Sequence, residues 1–208
     1  GFGEKTEEKL LEEIERYKKR RGEKRYLWYA ADEVVSSLTG YLRGIKEVLS
    51  VDAAGSYRRK KETVGDLDLL AVCDDNKSAI DAFVKYADVQ RVVSKGTTRC
   101  TVILDSGMQV DLRVVDEKSR GAALLYFTGS KEHSIELRKI AQKEDLKINE
   151  YGVYKGQGDD QIAGKTEKEM YAALDLRWIE PELRENRGEI EAAGRDELPE
   201  LVRLDEIK

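Results

Sequence analysis

Cysteine, histidine, proline and long apolar runs are all scarce in this chain of 208 residues. The two cysteines, Cys73 and Cys100, sit inside strand-like runs and read as small buried hydrophobes, not as a disulfide framework or a redox pair. A single histidine, His133, excludes a zinc site built from histidine and cysteine. No apolar run is long enough to span a bilayer, and no signal-peptide pattern opens the chain. The expectation is a cytoplasmic protein with no membrane partner. Both prolines, Pro181 and Pro199, fall near the C-terminal end, so nothing upstream forces a break in helices or strands.

Charge is abundant but unevenly placed. The net charge is −5, which by itself argues against a nucleic-acid binder. The average conceals a gradient. Residues 1–61 carry 15 basic and 11 acidic residues, whereas 156–208 carry 8 and 15. Contact with a polyanion is expected in the first third, where cations can displace counterions from phosphates. The acidic C-terminal stretch is expected to face away from it.

The most informative stretch runs from Gly55 to Leu70. It opens with Gly55-Ser56, passes through Arg58, Arg59, Lys60 and Lys61, and ends in Gly65-Asp66-Leu67-Asp68-Leu69-Leu70. The last part reads as a strand, in which Asp66 and Asp68 share a face. Two carboxylates on a rigid strand suit Mg²⁺, a hard cation that takes oxygen ligands and keeps phosphate oxygens in its shell. Either half of the motif alone is ordinary: an Asp-x-Asp pair is usually solvated and a Gly-Ser pair is usually a turn. Together, with the basic loop between them, they have the layout of two-metal phosphoryl or nucleotidyl transfer.

A third carboxylate is available. Thr101–Leu104 and Met108–Val115 read as two strands joined at Asp105-Ser106-Gly107, a β-hairpin. Asp111 lies in the second, on the face opposite Val110 and Leu112. A carboxylate in so apolar a strand requires a partner or a metal. The plainer explanation is a salt bridge to Arg113 on the same face.

With these residues in place, the chain resembles the catalytic core of a family X DNA polymerase of the bacterial and archaeal type. The resemblance rests on Gly55–Asp68, on Val110-Asp111-Leu112-Arg113, on Leu124–His133 with its Tyr126-Phe127-Thr128-Gly129-Ser130, and on Lys147–Val153. It implies that Asp66, Asp68 and Asp111 hold two Mg²⁺ ions, with Mn²⁺ as a substitute, and that Asp111 takes the proton of the primer 3′-hydroxyl or passes it to water. It implies that Gly55, Ser56, Arg59 and the Gly65 backbone bind the triphosphate of a deoxynucleotide, with Arg25 as a further cation. Tyr126, Phe127 and Gly129 would surround the sugar and exclude a 2′-hydroxyl. Ser134 stands where relatives carry an asparagine that reaches the base edge, and Arg138 would reach the template strand. Gly1, Gly3 and Lys5 resemble the second half of a helix-hairpin-helix that grips DNA, and Arg113 is a further DNA contact. The implied partners are primer-template or gapped DNA and a deoxynucleoside triphosphate, bound by a monomer associated with the nucleoid. The lyase-type domain that precedes this core in the family, and the phosphoesterase domain that follows it in bacterial relatives, are expected to be absent, and with the latter any 3′–5′ exonuclease.

The expected fold is α+β: a nucleotidyltransferase-type palm, a mixed sheet with packed helices, between an N-terminal helical DNA-binding subdomain and a C-terminal α/β nucleotide-selection subdomain. The boundaries are 1–47, 48–118 and 119–190, with 191–208 an acidic tail or linker. Leu10, Leu11, Ile14 and Tyr17 mark a first helix. Trp28–Leu38 reads as a second, stopped by Gly40, and Tyr41–Leu49 as a third. Lys77–Asp88, Gly121–Phe127 and Lys131–Glu144 also read as helices, and Ile148–Tyr154 as a strand. Thr166–Leu174 carries a capping box, Thr166 with Glu169. Residues 180–208 read as an acidic tail. Template-directed gap filling in DNA repair is the leading function. Two other readings fit the same motifs: a nucleotidyltransferase acting on RNA or a small molecule, and a DNA-binding module inactive without further domains.

Overall fold

The computed structural model describes residues 24–156, 158–202 and 206. The expected helix around Leu10–Tyr17 lies outside them. Two lobes are built on separate apolar cores.

The first lobe is a five-stranded mixed sheet backed by helices. Its strands are β2 (Val48–Ala53), β4 (Asp66–Cys73), β5 (Val89–Lys95), β6 (Arg99–Leu104) and β7 (Gln109–Val115), in the order β2-β4-β7-β6-β5. A small β1 (Tyr26–Leu27) pairs with β3 (Thr63–Val64) outside the sheet. β6 and β7 form the antiparallel hairpin expected from Asp105-Ser106-Gly107. β4 and β7 pair in parallel, the crossover between them passing through α3 (Asn76–Phe83), β5 and β6.

Helix α1 (Trp28–Arg43) covers the back of the sheet with Ala31, Val35, Leu38 and Leu42, a spacing of three and four that makes one helical stripe. It runs straight through Gly40, where a break was expected, and no separate helix follows over Tyr41–Leu49. A glycine inside a helix costs about 1 kcal/mol. Burying Leu42, two residues on, is worth about 1.5–3 kcal/mol and outweighs it. Asp75 caps α3 by accepting from the Lys77 and Ser78 amides.

The second lobe holds α4 (Arg120–Thr128), α5 (Lys131–Lys143), the antiparallel sheet β8 (Leu146–Ile148), β9 (Val153–Lys155) and β10 (Gln161–Ala163), then α6 (Glu167–Ala172) and α7 (Glu189–Arg195). The run Ile148–Tyr154 is not one strand. Asn149 accepts from the amides of Tyr151 and Gly152 and folds the chain into a turn between β8 and β9. The capping box on α6 forms as expected.

The segment from 180 to 196 is not a tail. Ile179, Ile190 and Ala193 join the second core, and Arg184 is wholly buried. Glu167, itself buried, accepts from Arg184 at 2.7 Å and from both terminal nitrogens of Arg58 at 2.7 Å. Arg58 belongs to α2 (Gly55–Arg58) in the first lobe, so this ionic network joins the lobes. Burial alone would raise the Glu167 carboxyl, but the hydrogen bonds from Arg58 and the charge of Arg184 hold it down at about 2. Beside it, His133 bonds Glu189 through Nδ1 at 2.7 Å and the Tyr171 hydroxyl through Nε2 at 2.8 Å.

Removing one member of a buried ionic network strands the others. Glu167→Ala should lower stability by about 3–5 kcal/mol in urea denaturation. The folded pKa of Glu167 lies below its unfolded value of 4.5. Its contribution is therefore complete above pH 4.5 and is lost as pH falls toward 2. A urea midpoint for Glu167→Ala equal to that of the parent chain would show that the network adds nothing net.

Candidate active site

The candidate site lies on the sheet face opposite the apolar core. Leu67, Leu69, Val110, Leu112 and Val102 point into that core. The alternate positions point the other way. The parallel register sets Asp68 directly beside Asp111 and Asp66 beside Gln109. The antiparallel register sets Thr101 beside Asp111 and Arg99 beside Arg113. Asp66, Asp68, Gln109, Asp111, Arg113, Thr101 and Arg99 therefore share one polar face.

Asp111 is 5% exposed and fully engaged. Its Oδ1 accepts from Thr101 Oγ1 at 2.5 Å and from Arg99 Nη2 at 3.2 Å. Its Oδ2 accepts from Gln109 Nε2 at 2.7 Å. The salt bridge to Arg113 that the alternation suggested is not the one made. Arg113 instead lies over the Phe127 ring, 4.1 Å from its centroid. Its Nε is the buried side-chain nitrogen left without a hydrogen-bond partner among the described residues.

Asp68 is half-buried between its neighbours. Burial, then the charges of Asp66 and Asp111, push its carboxyl up to about 7, while Arg113 and Arg99 pull the other way. One Asp68 oxygen points at Gly55 so closely that a Cβ there would sit 2.5 Å from it. Gly55 also has φ +63°, so no larger residue fits. Among the described residues no three His, Cys, Asp or Glu side chains converge to hold an ion. Both Asp111 oxygens are taken by Thr101, Gln109 and Arg99. The donor set still fits a divalent cation in its chemistry. It is all carboxylate oxygen, on two adjacent rigid strands, and carries a charge repulsion at Asp68 that a cation would relieve.

The Gly55–Arg58 helix sits at the end of β2, with Ser56 half-buried. Trp28 stacks on Tyr57 at 5.3 Å and donates to its carbonyl at 2.9 Å, fixing this turn against α1. Arg25 donates to the Thr63 hydroxyl and carbonyl and lies against Gly65. The structure thus sets Arg25 beside the loop that leads into Asp66. Arg59 donates to Glu185 Oε1 at 2.8 Å and to the Thr128 carbonyl. Lys60 and Lys61 pair with Glu182 and Glu185 at 3.7 and 3.4 Å. The acidic segment expected to face away thus neutralises the basic loop.

α4 ends at Gly129, whose φ is +67°. Tyr126 and Phe127 meet edge-on, with ring centroids 5.0 Å apart. Tyr126, Ser134 and Arg138 line one cleft with Asn149, Leu137 and Met170, and the three aspartates are not among its lining residues. Arg138 lies 5.9 Å from the Tyr126 ring centroid. Gly1, Gly3 and Lys5 lie outside the described residues. Sequence reasoning missed Thr101, Gln109 and Arg99 as partners of Asp111. The hairpin register contained the first of them, since Thr101 faces Asp111 once the turn is placed.

Residues 30–125 match the DNA polymerase beta palm domain, and residues 123–185 match the DNA polymerase beta thumb. The chain belongs to family X of the DNA polymerases. It is 33% identical over 210 residues to the DNA polymerase/3′-5′ exonuclease PolX of Bacillus subtilis (strain 168), a match covering 100% of this chain and 36% of that protein. It is 27% identical over 141 residues to a Repair DNA polymerase X of African swine fever virus, covering 65% of this chain and 81% of the viral protein. It is 29% identical over 157 residues to DNA polymerase lambda of Rattus norvegicus, covering 62% of this chain and 27% of that one. The chain therefore spans 36% of the length of its bacterial family X relative. No helix among the described residues is long and apolar enough to cross a membrane.

Asp68 offers a test in the metal-free protein. Its folded pKa of about 7 lies above its ordinary value of 3.8, so stability falls as pH rises between those values. Asp68→Asn should raise the melting temperature more at pH 8 than at pH 4 in the presence of a chelator. An equal shift at both pH values would mean that Asp68 is not under this repulsion.

Proposed function

We propose that this chain carries out template-directed addition of deoxynucleotides to a primer 3′ end, filling short gaps during DNA repair. The observation that carries the reading is the parallel register of β4 and β7, which sets Asp68 beside Asp111 with Asp66 on the same face. The names of the relatives, a PolX, a repair polymerase X and a polymerase lambda, support it.

Asp66, Asp68 and Asp111 would hold two divalent cations, Mg²⁺ or in its place Mn²⁺. When bound, such ions neutralise developing charge and lower the pKa of an attacking hydroxyl. The chain's own groups do the rest. Asp111 takes the proton of the 3′-hydroxyl or passes it to water. Ser56, the Gly65 backbone, Arg25 and Arg59 hold the triphosphate; Arg59 offers a planar fork suited to phosphate oxygens once Glu185 yields it. Gly55 leaves room for Asp68 at the same turn. Tyr126, Phe127 and Gly129 bound the sugar and disfavour a 2′-hydroxyl. Ser134 faces the base edge, Arg138 the template strand, and Arg113 the DNA side of the sheet. Gly1, Gly3 and Lys5 add a backbone grip on a DNA phosphate. The partner is gapped or primer-template DNA, met by a monomer in the cytoplasm at the nucleoid.

The deciding experiment is primer extension on a one-nucleotide-gapped duplex with Mg²⁺, offering deoxynucleotides and ribonucleotides separately. Template-matched deoxynucleotide addition is expected, and it should weaken steeply as salt rises. Asp66→Ala and Asp111→Ala should each lower the rate by at least about 10²–10³, with the far-ultraviolet circular dichroism of the folded chain retained. Equal use of ribonucleotides would remove the sugar filter. Near-normal incorporation by Asp111→Ala would take Asp111 out of the site.

A further inference from the structure

The cation that faces Asp111 is not where the motif would put it. Arg99 comes from the first residue of β6, and its Nη2 lies 3.2 Å from Asp111 Oδ1. The two partners differ sharply in exposure, 54% for the Arg99 side chain against 7% for that of Asp111. Thr101 and Gln109 complete the hold and keep both carboxylate oxygens occupied. A guanidinium beside a carboxylate does part of what a bound dication would do, because both neutralise the same charge. Arg99 and a cation at Asp66–Asp68–Asp111 are therefore competitors.

Arg99 also belongs to a surface suited to a second partner. From residue 90 to 99 every position of the β5–β6 hairpin is exposed. Residues 89–99 contain Arg91, Lys95 and Arg99 and no carboxylate. Lys95 is paired with Asp81 at 2.6 Å. An exposed, uniformly cationic hairpin beside a nucleotidyl-transfer site is fitted to a backbone phosphate.

We propose that Arg99 is a positioning residue that holds Asp111 out of the metal site until a DNA backbone phosphate takes its guanidinium. Metal and DNA then bind with positive coupling, because DNA removes the competitor of the metal. By linkage the metal tightens DNA by the same factor. The inference rests on the polymerase reading above, and its test separates the two.

The test measures binding of Mn²⁺ alone, by the electron paramagnetic resonance of free Mn²⁺, to the full chain with and without a one-nucleotide-gapped duplex. In the parent chain the duplex should tighten Mn²⁺ binding, within the range of about 5- to 150-fold usual for coupled ligands. Arg99→Ala should bind Mn²⁺ more tightly without DNA, and the duplex should add little. Arg99→Lys, which keeps the charge, should behave like the parent. The salt dependence of DNA binding should flatten by about one unit of slope in Arg99→Ala. A role in fold stability alone would move neither the coupling nor the slope. Unchanged or weaker Mn²⁺ binding by Arg99→Ala without DNA overturns the proposal. Asp68→Asn supplies the separation. If it abolishes Mn²⁺ binding while Arg99→Ala changes nothing, only the role of Arg99 falls. If it leaves Mn²⁺ binding intact, the active-site reading falls and this one with it.

Discussion

The Arg58–Glu167–Arg184 contact is the constraint on which the arrangement of the molecule depends. It fastens the short helix α2 to the start of α6 and to the segment that follows α6. Arg184 also donates twice to the Ile179 carbonyl, at 2.8 and 2.9 Å, so none of its charge is left without a partner. A buried ion pair is weak evidence of net stability, because desolvation offsets much of its attraction. Its stronger effect is geometric. Two guanidinium groups converge on one carboxylate, and the lobes can satisfy that only in a narrow range of relative positions. A small contact of Ala54 and Leu70 with Ala123 and Leu124 closes the same seam with apolar surface.

The seam matters because both lobes contribute to the charge balance of the basic loop. Arg58, Arg59, Lys60 and Lys61 each meet a carboxylate from residues 167–185. A loop of four adjacent cations would repel itself if left alone. Paired, it is stable, yet its partners are unequal. Glu167 is buried, whereas Glu182 and Glu185 are 30% and 21% exposed and pair with the more exposed Lys60 and Lys61 as well as with Arg59. Screening by solvent weakens the partly exposed pairs and leaves the buried one untouched. The same loop therefore holds the lobes together through Arg58 and makes looser, more solvated pairs at Lys60 and Lys61.

What was legible in the sequence was local. Gly55-Ser56 through Asp68 announced a turn, a basic loop and a strand bearing two carboxylates. Asp105-Ser106-Gly107 announced the hairpin, and Thr166 with Glu169 announced a helix start. These rest on interactions within a few residues. The misreadings come where distant burial decides. Gly40 reads as a helix stop until Leu42 is known to be buried. Ile148–Tyr154 reads as one strand until Asn149 bonds the amides of Tyr151 and Gly152. Residues 180–196 read as an acidic tail because charge dominates their composition, while Ile190 and Ala193 carry the packing. The alternation around Asp111 suggested Arg113 as its partner. Its partners are Thr101, directly across in the register, Arg99, diagonal to it, and Gln109, two residues back along the same strand.

The same logic explains the incomplete convergence of the aspartates. Asp66, Asp68 and Asp111 are brought to one face by backbone register, which folding secures through the apolar core behind them. Their side chains are then free to minimise their mutual repulsion. Asp111 does so by turning to Thr101, Gln109 and Arg99, and Asp68 by rising toward neutrality. A site that assembled its three carboxylates in full without a cation would have to store that repulsion in the fold. Here the strands carry the geometry, and the side chains settle the repulsion through hydrogen bonds to Asp111.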